Sequence, residues 1–151
     1  MTKIAASKVT PCLWFDNNAE EAIKFYTAIF KNSRVINLHP IVSTFELEGQ
    51  RLMALNGGPH FKFTEAISLY VNCESQEEVD YYWERLLSDG GKESQCGWLK
   101  DKFGLSWQIV PSRLSQLMKD TNREKSERVM QAMLKMIKLD IKALEQAYNN
   151  T

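Results

Sequence analysis

The sequence contains no apolar run longer than six residues, far short of the roughly 20 that a membrane-spanning helix needs. Cysteine is scarce: Cys12, Cys73 and Cys96 are the only three, with no CxxC pair. That excludes a disulfide framework and reads as three reduced thiols. Only two histidines occur, His39 before Pro40 and His60 after Pro59. Both sit in loop-like surroundings, and no Cys/His cluster has zinc spacing. Charge of one sign is also missing, since 19 basic residues balance 19 acidic ones. A balanced chain without a basic, aromatic-studded stripe lacks the field that draws nucleic acid or anionic lipid. The glycine pairs Gly57-Gly58 and Gly90-Gly91 make no GxGxxG, and no P-loop or nucleophile elbow occurs. Met1 to Lys8 has no apolar stretch of the kind a secretion signal carries. The expectation is a cytoplasmic protein with neither a nucleic-acid nor a membrane partner.

What remains is a chain of 151 residues, 44% hydrophobic and 25% charged, ordinary values for a globular protein with a real core. Its main feature is an internal repeat. Moving the chain by 57 positions, from residue 18 to residue 75, lays Asn18-Ala19-Glu20-Glu21-Ala22 over Ser75-Gln76-Glu77-Glu78-Val79. Phe25-Tyr26 then meets Tyr82-Trp83, and Ile29-Phe30 meets Leu86-Leu87. Both segments have helical apolar spacing. Both open on a capping residue, Asn18 or Ser75, with Glu21 or Glu78 three positions on. Strand-like runs flank each helix. They are Val9 to Phe15, Arg34 to Leu38, Ser43 to Leu47 and Arg51 to Asn56 in the first half. In the second half they are Ala66 to Asn72, Lys92 to Gln95, Gly97 to Lys100 and Leu105 to Val110. Glu48-Gly49-Gln50 and Asp101-Lys102-Phe103-Gly104 supply turns. The order βαβββ therefore occurs twice, in modules at 8–58 and 64–112. The fold class is α+β, with curled mixed sheets around a cavity and a C-terminal helical tail.

These residues carry a family resemblance. Pro11-Cys12-Leu13-Trp14-Phe15 with Asn18 to Ala22 and Phe25-Tyr26 is one stretch. Leu52 to Pro59 and Asp101-Lys102-Phe103-Gly104-Leu105-Ser106-Trp107-Gln108-Ile109 are the others. Over about residues 8 to 112 the chain resembles PhnB-like proteins of the vicinal-oxygen-chelate superfamily, the glyoxalase/bleomycin-resistance/dioxygenase group. Some PhnB-like proteins carry the name 3-demethylubiquinone-9 3-methyltransferase. Val129 to Met136 resembles a tail found on some of them. The resemblance implies metal ligands on the first, fourth, fifth and eighth strands. Here those positions fall near Thr10 or Pro11, at Asn56, among Ala66 to Ser68, and at Gln108. Asn and Gln are weak neutral ligands, so neither a metal nor another cofactor is expected. The resemblance also implies a homodimer, since superfamily members often pair halves from two chains.

Strand alternation divides the side chains between two faces. Leu105, Trp107 and Ile109 share the face expected to pack a helix, and Ser106, Gln108 and Val110 share the other. Ser68 and Tyr70 stand opposite Ile67, Leu69 and Val71. Glu46, with Thr44, faces either solvent or the cavity. The expected ligand pocket is Trp14, Asn56, Ser68, Tyr70, Ser106 and Gln108, an apolar wall with a few neutral hydrogen-bonding groups. Residues 1–120 make the glyoxalase-like domain. Residues 121–151 read as a tail whose long helix, from Glu124 to about Tyr148, carries one stripe of Met130, Met133, Ile137, Ile141, Leu144 and Tyr148. That stripe is buried either on its own chain or on a second subunit. The function expected first is metal-free small-molecule binding. A metal-dependent lyase, isomerase or dioxygenase of the same superfamily is the alternative, and a structural or regulatory homodimer the third.

Overall fold

The computed structural model describes residues 7–151. Most of the N-terminal stretch considered for a leader, residues 1–6, lies outside them. The chain divides into two units, one ending at Lys62 and one comprising Phe63–Thr151.

The first unit runs β1 (Cys12–Phe15), α1 (Ala19–Ile29), β2 (Ser33–Asn37), β3 (Val42–Leu47) and β4 (Gln50–Asn56). Its sheet has the order β1-β4-β3-β2, with β1 parallel to β4 and the other pairs antiparallel. Alternation selects the face that meets the helix. Ser43, Phe45 and Leu47 of β3 are buried, as are Leu52 and Ala54 of β4 and Leu13 and Phe15 of β1. The helix supplies Ala22, Ile23, Tyr26 and Ile29, and the Tyr26 ring stacks 6.4 Å from that of Phe45. Burying each large apolar side chain contributes roughly 1.5–3 kcal/mol. Glu48 and Gly49 both have positive φ, 47° and 85°, the requirement of a two-residue hairpin of the primed type. Glu46 stands on the face away from α1, where Arg34 lies 3.6 Å from its carboxylate.

One capping expectation fails. The Asn18 side chain makes no cap bond, and its Oδ1 is buried without a partner. Asn56, at the end of β4, caps α1 instead, its Oδ1 accepting from Ala19 N at 2.9 Å. The cap residue is 37 positions away in sequence, so no local motif announces it.

The second unit repeats the pattern with β5 (Ser68–Cys73), α2 (Gln76–Leu87), β6 (Lys92–Glu93), β7 (Trp98–Lys100) and β8 (Ser106–Pro111). The sheet order β5-β8-β7-β6 matches the first strand for strand. Ser75 caps α2 as the sequence indicates, accepting from Glu78 N at 3.2 Å. Val79, Tyr82, Trp83 and Leu86 are the buried face of α2. With two four-stranded mixed sheets and five helices among the described residues, the chain is α+β.

The tail departs from the single long helix. It folds as α4 (Arg123–Leu134) and α5 (Ile141–Asn149), which with α3 (Ser112–Met118) close on a small core of Leu117, Val129 and Leu144. Of the expected stripe, Leu144 is buried, whereas Ile137 is half exposed. The break at 135–140 has a local cause and a tertiary one. Asp140 caps α5, accepting from Ala143 N at 3.1 Å. Leu139 is buried against Gly97, where an added Cβ would sit 3.0 Å from Leu139 Cδ1. Cys96 N and Gly97 N donate to the Met136 and Ile137 carbonyls, each at 2.8 Å. The Gln76 side chain donates to Leu139 O at 3.1 Å and accepts from Ile141 N at 2.8 Å. Lys138 pairs with Asp80 at 2.8 Å, and Arg113 with Glu145 at 2.9 Å. The tail thus packs on its own chain, as part of the second unit rather than as a separate helix at 121–151.

Candidate functional site

The open face of the second sheet is built by register. Ser68 pairs with Ser106, Ser106 with Lys100, and Lys100 with Lys92. These four side chains make one row across the sheet. The next row is Tyr70, Gln108 and Trp98. Side chains on the other face, Leu99, Trp107 and Ile109, are buried under α2. The alternation expected for 105–110 therefore holds, and four of the six expected pocket residues, Ser68, Tyr70, Ser106 and Gln108, share one surface.

Their states differ. Gln108 Nε2 donates to Ser68 Oγ at 3.0 Å, so these two satisfy each other. Ser106 is fully buried, and its Oγ has no hydrogen-bond partner among the described residues. An unpartnered buried hydroxyl costs about 1–3 kcal/mol, so it requires an explanation. Tyr70 is 57% exposed. Partial burial, and then the nearby Cys73, hold its hydroxyl above the ordinary range, so it stays protonated at neutral pH. Beside Ser106 lies a cavity of about 240 Å³, bordered by Glu65, Lys92, Ser94, Trp98 and Lys100. Glu65 forms an ion pair with Lys100. That pairing holds the Glu65 carboxyl below the usual carboxylate range.

Lys92, Trp98 and Lys100 were not among the expected site residues. The alternation Trp98-Leu99-Lys100 contained the signal, but β7 is only three residues long, too short for a period to stand out.

The Asp101 turn fixes this surface. Asp101 Oδ1 accepts from Phe103 N at 2.9 Å and Leu105 N at 3.1 Å, and Oδ2 accepts from Trp107 Nε1 at 2.9 Å. The carboxylate thereby sets the turn between β7 and β8 and the pairing of Lys100 with Ser106. The most specific motif of the sequence is a scaffold for the site rather than its chemistry.

The other two expected pocket residues belong to the first unit and have structural duties there. Trp14 Nε1 donates to Gly58 O at 2.9 Å, and its ring meets Phe61 edge-on at 4.8 Å. Gly57 lies flat against the indole: an added Cβ would be 2.3 Å from Trp14 Cε2. Asn56 points to the helix face, its Oδ1 bound by Ala19 N and its Nδ2 donating to Pro40 O at 2.9 Å.

The positions that the resemblance assigns to metal ligands, at Thr10 or Pro11, Asn56, Ala66 to Ser68 and Gln108, carry no carboxylate or imidazole. Asn56 uses both atoms of its amide in the bonds just described, and Gln108 uses its Nε2. Among the described residues no group of three or more His, Cys, Asp or Glu could hold a metal ion. His39 and His60 are both exposed in loops, and His39 Nδ1 accepts from Ile41 N at 3.1 Å. No described helix is long and apolar enough to cross a membrane.

Comparison with known proteins agrees with the fold. Residues 7–110 match the family described as 3-demethylubiquinone-9 3-methyltransferase. The chain is 35% identical to a PhnB protein from Bacillus cereus, a candidate 3-demethylubiquinone-9 3-methyltransferase; the match covers 70% of this chain and 99% of that one, with a TM-score of 0.63. A fosfomycin resistance protein from Listeria monocytogenes, solved with Mn(II) and sulfate, is 18% identical with a TM-score of 0.52, over 69% of this chain and 88% of that one. A glyoxalase-related enzyme from Fulvimarina pelagi is 16% identical with a TM-score of 0.50, over 70% and 88%. These last two likenesses concern the fold alone. No curated protein matches the chain. The paired βαβββ units and the match over residues 7–110 place the chain in the 3-demethylubiquinone-9 3-methyltransferase-like (PhnB) family.

Proposed function

We propose that this protein binds a small organic molecule, without a resident metal, on the open face of its second sheet. One observation carries the reading: the buried, unpartnered hydroxyl of Ser106 beside a cavity. A ligand group hydrogen-bonded to Ser106 Oγ would remove the cost of leaving that hydroxyl unsatisfied. Gln108, Tyr70 and Trp98 extend the surface with one amide and two aromatic faces, the mixture of apolar wall and few polar groups that small-molecule sites use. Trp14 and Asn56, the two expected pocket residues of the first unit, serve that unit's own structure in this reading.

The methyltransferase description of the family is not carried to this chain. S-adenosylmethionine enzymes of the doubly wound type place a Gly-rich turn after the first strand of an alternating βα sheet. Here β1 leads into α1 through Asp16-Asn17-Asn18, and both sheets are mixed.

We also propose a homodimer in the cytoplasm. Val35, Ile36, Leu38 and Ile41 are exposed on or beside β2, the edge strand of the first sheet. An uncovered apolar edge of this kind favours association. Three free cysteines suit a reducing compartment. Light scattering tests the assembly: a dimer mass that falls to a monomer in Ile41→Lys supports it, and a monomeric wild type refutes it.

The binding reading is tested by titrating a fragment library against ¹⁵N-labelled protein. Hits that shift the Ser106, Gln108 and Trp98 amides support it. Hits that cluster elsewhere, leaving these amides unmoved, overturn it.

A further inference from the structure

We propose that the ligand of this site is a small carboxylate, whose anionic group takes the place of Glu65 on Lys100 and accepts from Ser106. The inference rests on the binding reading above and adds the chemical class. Three observations converge on it.

The first is the row Ser68, Ser106, Lys100, Lys92 across the sheet. It places two lysines in the lining of the cavity that Ser106, whose hydroxyl has no partner, also borders. Lys92 forms no ion pair among the described residues. Glu93 also borders the cavity, but its carboxylate accepts from Trp83 Nε1 at 3.1 Å.

The second is that a carboxylate already occupies the place. Glu65 reaches Lys100 from the segment that precedes β5, and its side chain remains 63% exposed. An exposed pair of this kind is weak and easily exchanged. The Glu65 carboxylate therefore acts as an internal stand-in that an external carboxylate can displace.

The third is size and lining. The cavity, at about 240 Å³, is smaller than the roughly 300–1,000 Å³ of drug-sized sites. Trp98 forms one wall. A single-ring or short-chain acid fits these limits better than an extended molecule, with its ring or chain against Trp98 and its carboxylate at Lys100.

Benzoate is a suitable probe, with benzamide as its neutral counterpart. Both are titrated into the ¹⁵N-labelled full-length protein. Benzoate is expected to shift the Ser106, Trp98 and Lys100 amides at lower concentration than benzamide does. Glu65→Gln removes the competing charge at an exposed position. It is expected to tighten benzoate by about two- to five-fold, the equivalent of losing one exposed ion pair. Lys100→Gln is expected to abolish the preference for benzoate. Equal shifts from benzoate and benzamide at these amides would overturn the carboxylate assignment and leave the binding reading intact. A Glu65→Gln protein with unchanged benzoate affinity would also overturn it. No shift there from either probe would overturn the assignment, and failure of the fragment library at the same amides would remove the binding reading as well.

Discussion

Replacing Ser106 by alanine should make the protein more stable and a poorer binder. Ser106 is fully buried between Ser68 on β5 and Lys100 on β7. Ser68 Oγ is the acceptor for Gln108, and Ser106 Oγ has no partner of its own. Mutational data put the cost of burying such a hydroxyl at about 1–3 kcal/mol. Alanine removes that cost and gives up one oxygen's dispersion contacts, individually about 0.1–0.2 kcal/mol each. A net gain of about 1 kcal/mol follows. For a chain of this size it corresponds to roughly 2–4 °C in Tm. Urea unfolding with an unchanged m-value is the direct assay, because the exposed surface is unaltered. The same substitution deletes the hydrogen bond that the proposed ligand accepts. A bond to a charged acceptor is worth about 1.5–3 kcal/mol, so benzoate should weaken by about ten-fold or more. Stability and affinity therefore move in opposite directions in one variant. A serine serving only the fold would not do this. Ser68→Ala is the control: it orphans the Gln108 amide and should destabilise by about 0.5–1.5 kcal/mol. Destabilisation of Ser106→Ala by 1 kcal/mol or more would refute the reasoning, because it would mean that the hydroxyl is satisfied.

Asp101→Asn should destabilise by about 1–3 kcal/mol, since one amide oxygen cannot serve both the two backbone donors and the Trp107 indole; a change under 0.5 kcal/mol in chemical denaturation would contradict the scaffold role. Gln76→Ala should release the start of α5, with the Ile141 amide losing hydrogen-exchange protection before the β8 amides do; unchanged protection would show that the tail does not depend on this clamp. Cys73 should resist iodoacetamide in the native protein at pH 8 while exposed Cys12 reacts, because burial first, and then Glu78 and Glu74, push the Cys73 thiol up to about 12. With a folded value above the ordinary 9.0, this thiol's contribution to stability is complete below about pH 9 and is lost as pH rises toward 12. A Cys73→Ala protein should therefore lose less stability than wild type between pH 8 and 11 in urea titrations, and equal losses would count against the burial argument.

The fold was legible where the physics is local or periodic. Two capped amphipathic helices at a fixed offset, each followed by alternating strands, lead directly to two sheets of identical order. Trp107 and Ile109 fall on the helix face that alternation assigns them. Long-range substitutions for local rules were not legible. Asn18 looks like a cap, yet Asn56 holds Ala19 N, because parallel pairing of β1 with β4 brings the end of β4 to the helix start. The tail was misread for a different reason. The three- and four-residue steps continue across 135–140, but Asp140 is a local capping signal, and backbone bonds from Cys96 and Gly97 favour the break. The site was half legible. Alternation places Ser68, Tyr70, Ser106 and Gln108 on one surface. Adding Lys92 and Lys100 requires the register of two very short strands. That Asn56 leaves this set follows from its strand parity, which matches buried Ala54 and Leu52.

The most direct test of metal-free binding is the metal content of protein purified without chelator and then dialysed. Elemental analysis by mass spectrometry should find zinc, nickel, manganese and iron all far below one ion per chain. Any of them retained at one per chain would contradict the metal-free site and turn attention to the metal-dependent lyase, isomerase or dioxygenase chemistry of the superfamily.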